Sequence, residues 1–406
     1  MTVASRSDHL RGRWRPVARN DFIFGLTVLV AYCLAALLST RLDPTTPDRL
    51  MLVAERTLGG HLDSNLLKGT VDTAYVGGHY FLVVGPLQLI AYLPMAALPP
   101  LQGIGSYLAC LFFGIPAAWL SLPLARAYGA KGEAAYQVAV FTAFGSLLFY
   151  VSVLGDFYYL AHAESFLALS LFLLEWAGRR RPLVLGATLA FSLLARPTTV
   201  LAAIPFGLWL LWNHRSDLSR AARDAVAFGL PIAGAVVLLG WYNWLRFGSP
   251  LETGYAISNL VEPSLEARRA LGVFSFQQVP ENLRLALLAL PASPGVFPFV
   301  GVSRYGMSML LVSPALLISA WAGLRERTAQ LLWLAAGLVA LPVFLYYGGG
   351  YVQYGFRYSL DFTPFLIALM AMGSRRWIGR PERLLILISV LSVGYGVLYG
   401  MGWHAS

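Results

Sequence analysis

Thr40-Arg41-Leu42-Asp43-Pro44-Thr45-Thr46-Pro47-Asp48 is the first place where the chain leaves an apolar pattern. It follows the run Phe22 to Ser39 and leads, through a stretch of helical periodicity and Gly77-Gly78-His79-Tyr80-Phe81, into a second apolar run from Tyr80 to Leu98. Residues 40–86 hold Asp43, Asp48, Glu55, Asp63 and Asp72, five of the 20 acidic residues in the protein. Whether Tyr80 to Leu98 crosses a membrane or lies along it decides the side on which every later loop emerges.

The surrounding sequence is that of a membrane protein. Of its 406 residues 57% are hydrophobic and 12% charged, roughly half the charge of an ordinary soluble domain. A span needs about 20 apolar residues, and runs near 22–39, 104–124, 134–154, 160–177, 183–195, 198–213, 225–244, 306–324, 329–347, 359–373 and 384–402 supply eleven candidates. The expected fold class is all-α: a polytopic membrane protein of about 11 transmembrane helices, with interfacial amphipathic helices in the first outer loop. Residues 1–21 carry five arginines and no cleavable signal pattern, so a cytoplasmic basic N-terminus is expected, followed by one membrane domain over 22–406. The net charge of +10 is spread over short loops, which reads as a topology signal and argues against a nucleic-acid partner. Cys33 and Cys110 sit inside apolar runs, as packing residues do.

Charge decides the sidedness. With 80–98 as a helix lying on the outer surface, nineteen of the 30 basic residues fall inside; with 80–98 crossing, only twelve do. The positive-inside rule therefore favours the surface helix. Leu183 to Asn213 poses a second choice, because one helix would be about 46 Å long with Arg196-Pro197 at its middle. Two short helices meeting at a recessed Arg196-Pro197 turn are expected instead. The outer face then gathers 40–103, the turn 155–159, the turn at Arg196, the long segment 245–305 and 348–358. No internal repeat of the kind that builds inverted-repeat transporters is visible.

Residue chemistry on that face is selective. Thr46-Pro47-Asp48 reads as a helix start, and Leu50, Val53, Ala54, Thr57 and Leu58 form one stripe with Asp48 and Glu55 turned elsewhere. Asp48 is open to two readings, a helix-start charge or a reactive carboxylate. Asp156 is a turn residue or a site residue, whereas His162 and Glu164 fall at the start of an apolar span, where ionisable groups face a cavity or a partner. Arg196 needs an anion, either Asp156 or Glu164 or a ligand such as phosphate. Arg246, in Asn243-Trp244-Leu245-Arg246-Phe247-Gly248-Ser249-Pro250-Leu251-Glu252-Thr253-Gly254-Tyr255, and Tyr354 and Arg357, in Tyr354-Gly355-Phe356-Arg357-Tyr358-Ser359-Leu360-Asp361, are candidate substrate contacts. Arg357 beside Asp361 suggests charges facing an interior cavity. The acids and the histidine leave a divalent cation open as a cofactor, but no tight ligand spacing calls for a metal site.

Those two stretches and Leu194-Ala195-Arg196-Pro197-Thr198-Thr199, in this order behind an acidic first outer loop, resemble bacterial membrane glycosyltransferases of the C-type superfamily. These are similar to protein O-mannosyltransferases and lipid A aminoarabinose transferases. The resemblance covers residues 22 to about 373. It implies a polyprenyl-phosphate-linked sugar as donor, transfer on the outer face of the inner (plasma) membrane, and an envelope lipid, polysaccharide or protein as acceptor. It also implies a catalytic carboxylate in the first outer loop, matched by Asp48 with Asp43 as rival, an acid matched by Asp156 and a basic residue matched by Arg196. Where several relatives carry an acidic-basic pair before a proline, this chain has Leu82-Val83-Val84-Gly85-Pro86, which leaves the phosphate contact to arginines elsewhere.

The expected function is an inverting membrane glycosyltransferase in which Asp48 is the base and Arg196, with Arg357, meets the leaving phosphate. Two competing readings are a lipid or sugar transporter or flippase of the envelope, and a non-catalytic subunit of an envelope-assembly complex.

Overall fold

A computed structural model describes residues 19–40, 48–260, 262–292, 301–374 and 378–404. Its elements run α1 (Arg19–Thr40), α2 (Arg49–Leu58), β1 (Thr73–Val76), β2 (His79–Leu82), α3 (Pro86–Ala96), α4 (Gly105–Ala127), α5 (Gly132–Val140), α6 (Leu147–Val153), α7 (Phe157–Ala177), α8 (Pro182–Ala195), α9 (Ala203–Asn213), α10 (Leu218–Phe247), α11 (Pro263–Ala270), α12 (Val279–Leu283), α13 (Met309–Val312), α14 (Arg327–Leu345), α15 (Thr363–Gly373) and α16 (Arg380–His404).

The protein is a polytopic helical membrane protein. Among the described residues six helices are long and apolar enough to cross a membrane, namely α1, α4 with the turn before it, α7, α10, α14 and α16; α5 and α6, bent by 45°, make a seventh if read as one span. The described residues do not confirm eleven full spans. The runs near 198–213, 306–324 and 359–373 are interrupted by 3₁₀ turns over Pro197–Ala202, Pro314–Ala322 and Arg357–Asp361. Two of these turns open on a proline, which lacks an N–H and holds the residue before it out of helical geometry. What remains of the third run, α15, is buried along almost its whole length, which is the setting of a core helix.

An ion pair settles the course of the first loop. Arg126 at the end of α4 grips Asp21 at the start of α1 with Nη1–Oδ2 and Nη2–Oδ1 distances of 2.7 Å, and Trp119 Nε1 donates to the Gly25 carbonyl at 2.9 Å. The two helices are therefore antiparallel, so the chain between them leaves and re-enters the bundle at the same end. Tyr80 to Leu98 does not cross.

That run is not one surface helix, however. Gly77 and Gly78 adopt φ of 58° and 89°, the positive values that a two-residue hairpin turn of type I′ needs at both central positions. Val76 consequently pairs with His79 and Thr73 with Leu82. The helical part begins at Pro86, its start tied by Gly85 N donating to Gln88 Oε1 at 2.8 Å. Residues 258–259 of the long later segment lie along β1, through Asp72 N to Asn259 O and Asn259 N to Thr73 O, both 2.9 Å.

In α2 the cap is Asp48 itself, accepting from Leu50 N at 2.9 Å. Leu50, Met51, Val53 and Ala54 are buried and Glu55 is exposed, as an amphipathic stripe requires. Thr46 and Pro47, expected to open this helix, lie outside the described residues.

Candidate active site

A cavity of about 460 Å³ lies where helix ends converge: the start of α7, the ends of α8 and α10, residues 346–352 after α14 and 357–358 before α15. Residues 71–72 and 83–85, at the two ends of the hairpin, complete the wall. Its size falls in the range of about 300–1,000 Å³ usual for small-molecule sites. Val83, Val84, Ala195, Pro197 and Leu239 form apolar wall, and Tyr158, Tyr159, Tyr255, Tyr346, Tyr347, Tyr351 and Tyr358 supply rings and hydroxyls.

The Arg196 guanidinium has a protein partner, and it is neither Asp156 nor Glu164. Nε and Nη2 meet the Asp361 carboxylate at 2.8–3.1 Å. Thr198 Oγ1 donates to the same carboxylate at 3.2 Å, and His162 Nδ1 stands 3.3 Å from its Oδ1. The Arg196 plane also rests 4.9 Å from the Tyr358 ring centre. Asp361 is fully buried, so the long reach from α15 to the α8 turn gives each charge the partner it needs inside the protein.

Arg357, expected beside Asp361, is left without that partner. It is 7% exposed; Nη1 donates to the carbonyls of Tyr351 at 2.9 Å and Val352 at 3.4 Å, and its buried Nε has no hydrogen-bond partner among the described residues. Arg246, 4% exposed, resembles it. It donates to Leu82 O at 3.0 Å and Asn243 Oδ1 at 3.1 Å and lies 3.7 Å from the Tyr242 ring centre. Neither arginine has a carboxylate within ion-pair distance among the described residues. Both line the cavity. The bond to Leu82 O sets Arg246 beside Val83-Val84, at the place where the resemblance expects a charged pair.

Three carboxylates surround this basic wall. Asp156 lines the cavity and caps α7 through Tyr158 N to Oδ1 at 2.8 Å. Asp48 stands behind it, half-buried and off the cavity wall, with Oδ1 taken by Leu50 N and Oδ2 by the Tyr92 hydroxyl at 2.7 Å. Burial raises the Asp48 carboxyl to about 6, the Tyr92 hydrogen bond opposing the rise and the charge of Asp156 adding to it. Asp72 is the third. It lines the cavity and accepts from the Tyr158 hydroxyl at 2.6 Å, while Arg49 Nη2 donates to the same hydroxyl at 2.8 Å.

Of the expected site residues, the cavity brings together Asp156, His162, Arg196, Arg246 and Arg357. Glu164 is fully buried two helical turns into α7, away from the cavity, with neither oxygen hydrogen-bonded among the described residues. Tyr354 is likewise off the cavity, because its ring stacks 6.0 Å from Tyr150 and its hydroxyl lies 3.2 Å from Ser392 Oγ, which makes it a packing residue between α6 and α16. Asp43 lies outside the described residues. Asp72, Arg49 and Tyr158 were not singled out by sequence. The Gly77-Gly78 pair was the one available signal, since the hairpin it makes brings Asp72 beside Val83. Among the described residues no three His, Cys, Asp or Glu side chains converge as a metal ion would require.

No family model matches the chain, and no curated protein does. Solved structures that resemble it include two membrane enzymes. One is ArnT from Cupriavidus metallidurans bound to undecaprenyl phosphate, at 14% identity and a TM-score of 0.49, covering 89% of this chain and 61% of that one. The other is the archaeal oligosaccharyltransferase AglB from Archaeoglobus fulgidus, in complex with an inhibitory peptide and a dolichol-phosphate, at 12% identity and a TM-score of 0.48, covering 96% of this chain and 56% of that one. The chain thus spans less than two thirds of the length of either.

Proposed function

We propose that this protein is a membrane glycosyltransferase, moving a sugar from a polyprenyl-phosphate carrier to an acceptor hydroxyl at the outer face of the inner membrane. The observation that carries the reading is the pair of buried arginines, Arg246 and Arg357, facing one cavity at the ends of apolar helices with no carboxylate within ion-pair distance among the described residues. A buried cation without a partner is costly. A lipid phosphate entering at headgroup depth supplies that partner, and the apolar wall of Val83, Val84 and Leu239 suits the first carbons of its tail. Arg196 is occupied by Asp361, so the phosphate role expected of it falls to Arg246 and Arg357.

In the transfer step the acceptor oxygen forms a bond to the anomeric carbon as the bond from that carbon to the phosphate oxygen breaks. The acceptor proton passes to a carboxylate, and the lipid phosphate leaves as an anion held by the two guanidiniums. Asp156 is the carboxylate we assign to this proton. It is on the cavity wall, whereas Asp48 has both oxygens engaged and acts through its charge on Asp156. Single displacement inverts the anomeric centre.

The test uses the full chain in vesicles with radiolabelled undecaprenyl-phosphoryl hexose and an extract of envelope glycans as acceptor. Label should move covalently to the extract with the unaltered protein and not with Asp156→Asn. Passage of the labelled lipid across the bilayer with no new glycosidic bond would replace this reading with transport.

A further inference from the structure

The first loop contributes a cavity carboxylate that the proposed transfer step does not use. Asp72 has φ of 53°, in the left-handed region that asparagine and aspartate tolerate better than other side chains but still at some cost. Two backbone bonds keep it there, Asp72 N to Asn259 O and Val83 N to Asp72 O, each 2.9 Å. The strained residue is thus clamped between the long later segment and the hairpin, with its side chain on the cavity wall.

The polarity of the contacts around it is determined. Arginine can only donate, so the Arg49 Nη2 bond of 2.8 Å fixes the Tyr158 oxygen as its acceptor. The Tyr158 proton then goes to Asp72 Oδ2, at 2.6 Å. Arg49 is itself held, donating to Val71 O and lying 5.2 Å from the Phe157 ring centre. Oδ2 of Asp72 is therefore engaged, and Oδ1 has no hydrogen-bond partner among the described residues. A carboxylate oxygen in this state accepts from O–H or N–H donors. It repels phosphate, which rules it out as part of the anion wall.

We infer that Asp72 is a substrate-binding residue that recognises a sugar hydroxyl through Oδ1, with Tyr158 and Arg49 as the positioning residues that aim it. The inference rests on the glycosyltransferase reading, and the hydroxyl belongs either to the donor sugar or to the acceptor glycan. Tyr158 joins this group to the proton-accepting one, since its N–H caps Asp156 and its O–H binds Asp72. The two acids thus sit at opposite ends of one residue, Asp156 at its backbone N–H and Asp72 at its hydroxyl, a spacing across which a hydroxyl-rich ligand can be held.

Asp72→Asn separates recognition from structure. Asparagine accepts the Tyr158 proton and tolerates positive φ, so a purely structural role predicts no change in melting temperature or ligand affinity. Binding to the purified full chain is measured with two probes, undecaprenyl phosphate and undecaprenyl-phosphoryl hexose. The expected result is unchanged affinity for the bare lipid phosphate with a loss of about 10- to 100-fold toward the sugar-bearing lipid, the range for one hydrogen bond to a charged group. If both affinities are unchanged but the half-saturating amount of acceptor extract rises by a similar factor, the hydroxyl is the acceptor's. Tyr158→Phe should show the same pattern more weakly. Equal losses toward both lipids, or no change in any of the three readouts, would overturn the inference. Failure of the unaltered protein to bind undecaprenyl phosphate would instead remove the donor reading, and the Asp72 assignment with it.

Discussion

Arg196 and Asp361, 165 positions apart in sequence, close three contacts of 2.8–3.1 Å inside the helix bundle. The pair joins the turn between α8 and α9 to the entry of α15. Breaking a buried pair from one side leaves the other charge unpartnered, at a cost of about 3–5 kcal/mol. Asp361→Ala should therefore lower the yield of monodisperse protein in size-exclusion chromatography more than Arg196→Met combined with Asp361→Leu. A double variant as damaged as the single one would show that the pair contributes more than mutual neutralisation.

The opposite behaviour is expected of Arg357 and Arg246. Each is a buried cation with no carboxylate partner among the described residues, so Arg357→Met should leave thermal stability unchanged or raised by about 1 kcal/mol. The same change should weaken undecaprenyl phosphate binding roughly 10-fold or more, because a charge-assisted contact is lost. Loss of fold with retained lipid affinity would reverse the assignment.

Asp156→Asn keeps the cap of α7, since asparagine accepts from Tyr158 N as aspartate does. Covalent sugar transfer should fall at least about 100-fold, the lower bound for removing a general base, while binding of undecaprenyl phosphate stays within twofold. Normal transfer rates in this variant would remove Asp156 from the chemistry.

Asp48 yields a prediction with a definite sign. Its carboxyl is raised to about 6 by burial, so between about pH 4 and pH 6 the folded protein binds the proton more tightly than the unfolded chain, and stability falls as pH rises through that window. The ionisation cost is absent below the window and complete above it, at about 2–3 kcal/mol for a shift of this size. Asp48→Asn, which preserves the helix cap, should melt higher than the unaltered protein at pH 7.5 and at nearly the same temperature at about pH 3, below the window. Equal melting at both pH values would mean that Asp48 carries no such cost.

Much of the architecture was legible because it depends on one-dimensional quantities. Apolar run length marks helices that can span, the excess of arginine on one side predicts that 80–98 stays out of the membrane, and Asp21 with Arg126 bears this out in space. The break at Arg196-Pro197 was readable from proline stereochemistry and helix length. The hairpin at 73–82 was not, since four-residue strands lie below the length at which alternation separates from a general apolar run. Of the residues that line the cavity, Asp156, His162, Arg196, Arg246 and Arg357 were legible as ionisable groups at span mouths. Glu164 and Tyr354 carry the same signal and are buried off the cavity.

By itself the sequence determined a many-helix membrane protein whose chemistry gathers at one set of helix ends, because hydrophobic length and charge placement are local properties that the bilayer reads directly. Tertiary structure alone decided the partners. Asp361 goes to Arg196 and not to its neighbour Arg357, Asp48 turns both oxygens to Leu50 and Tyr92, and Asp72 reaches the cavity through a left-handed backbone pinned by Asn259. Which carboxylate meets which guanidinium depends on how helix ends distant in sequence pack, and that leaves no periodicity in the chain to read.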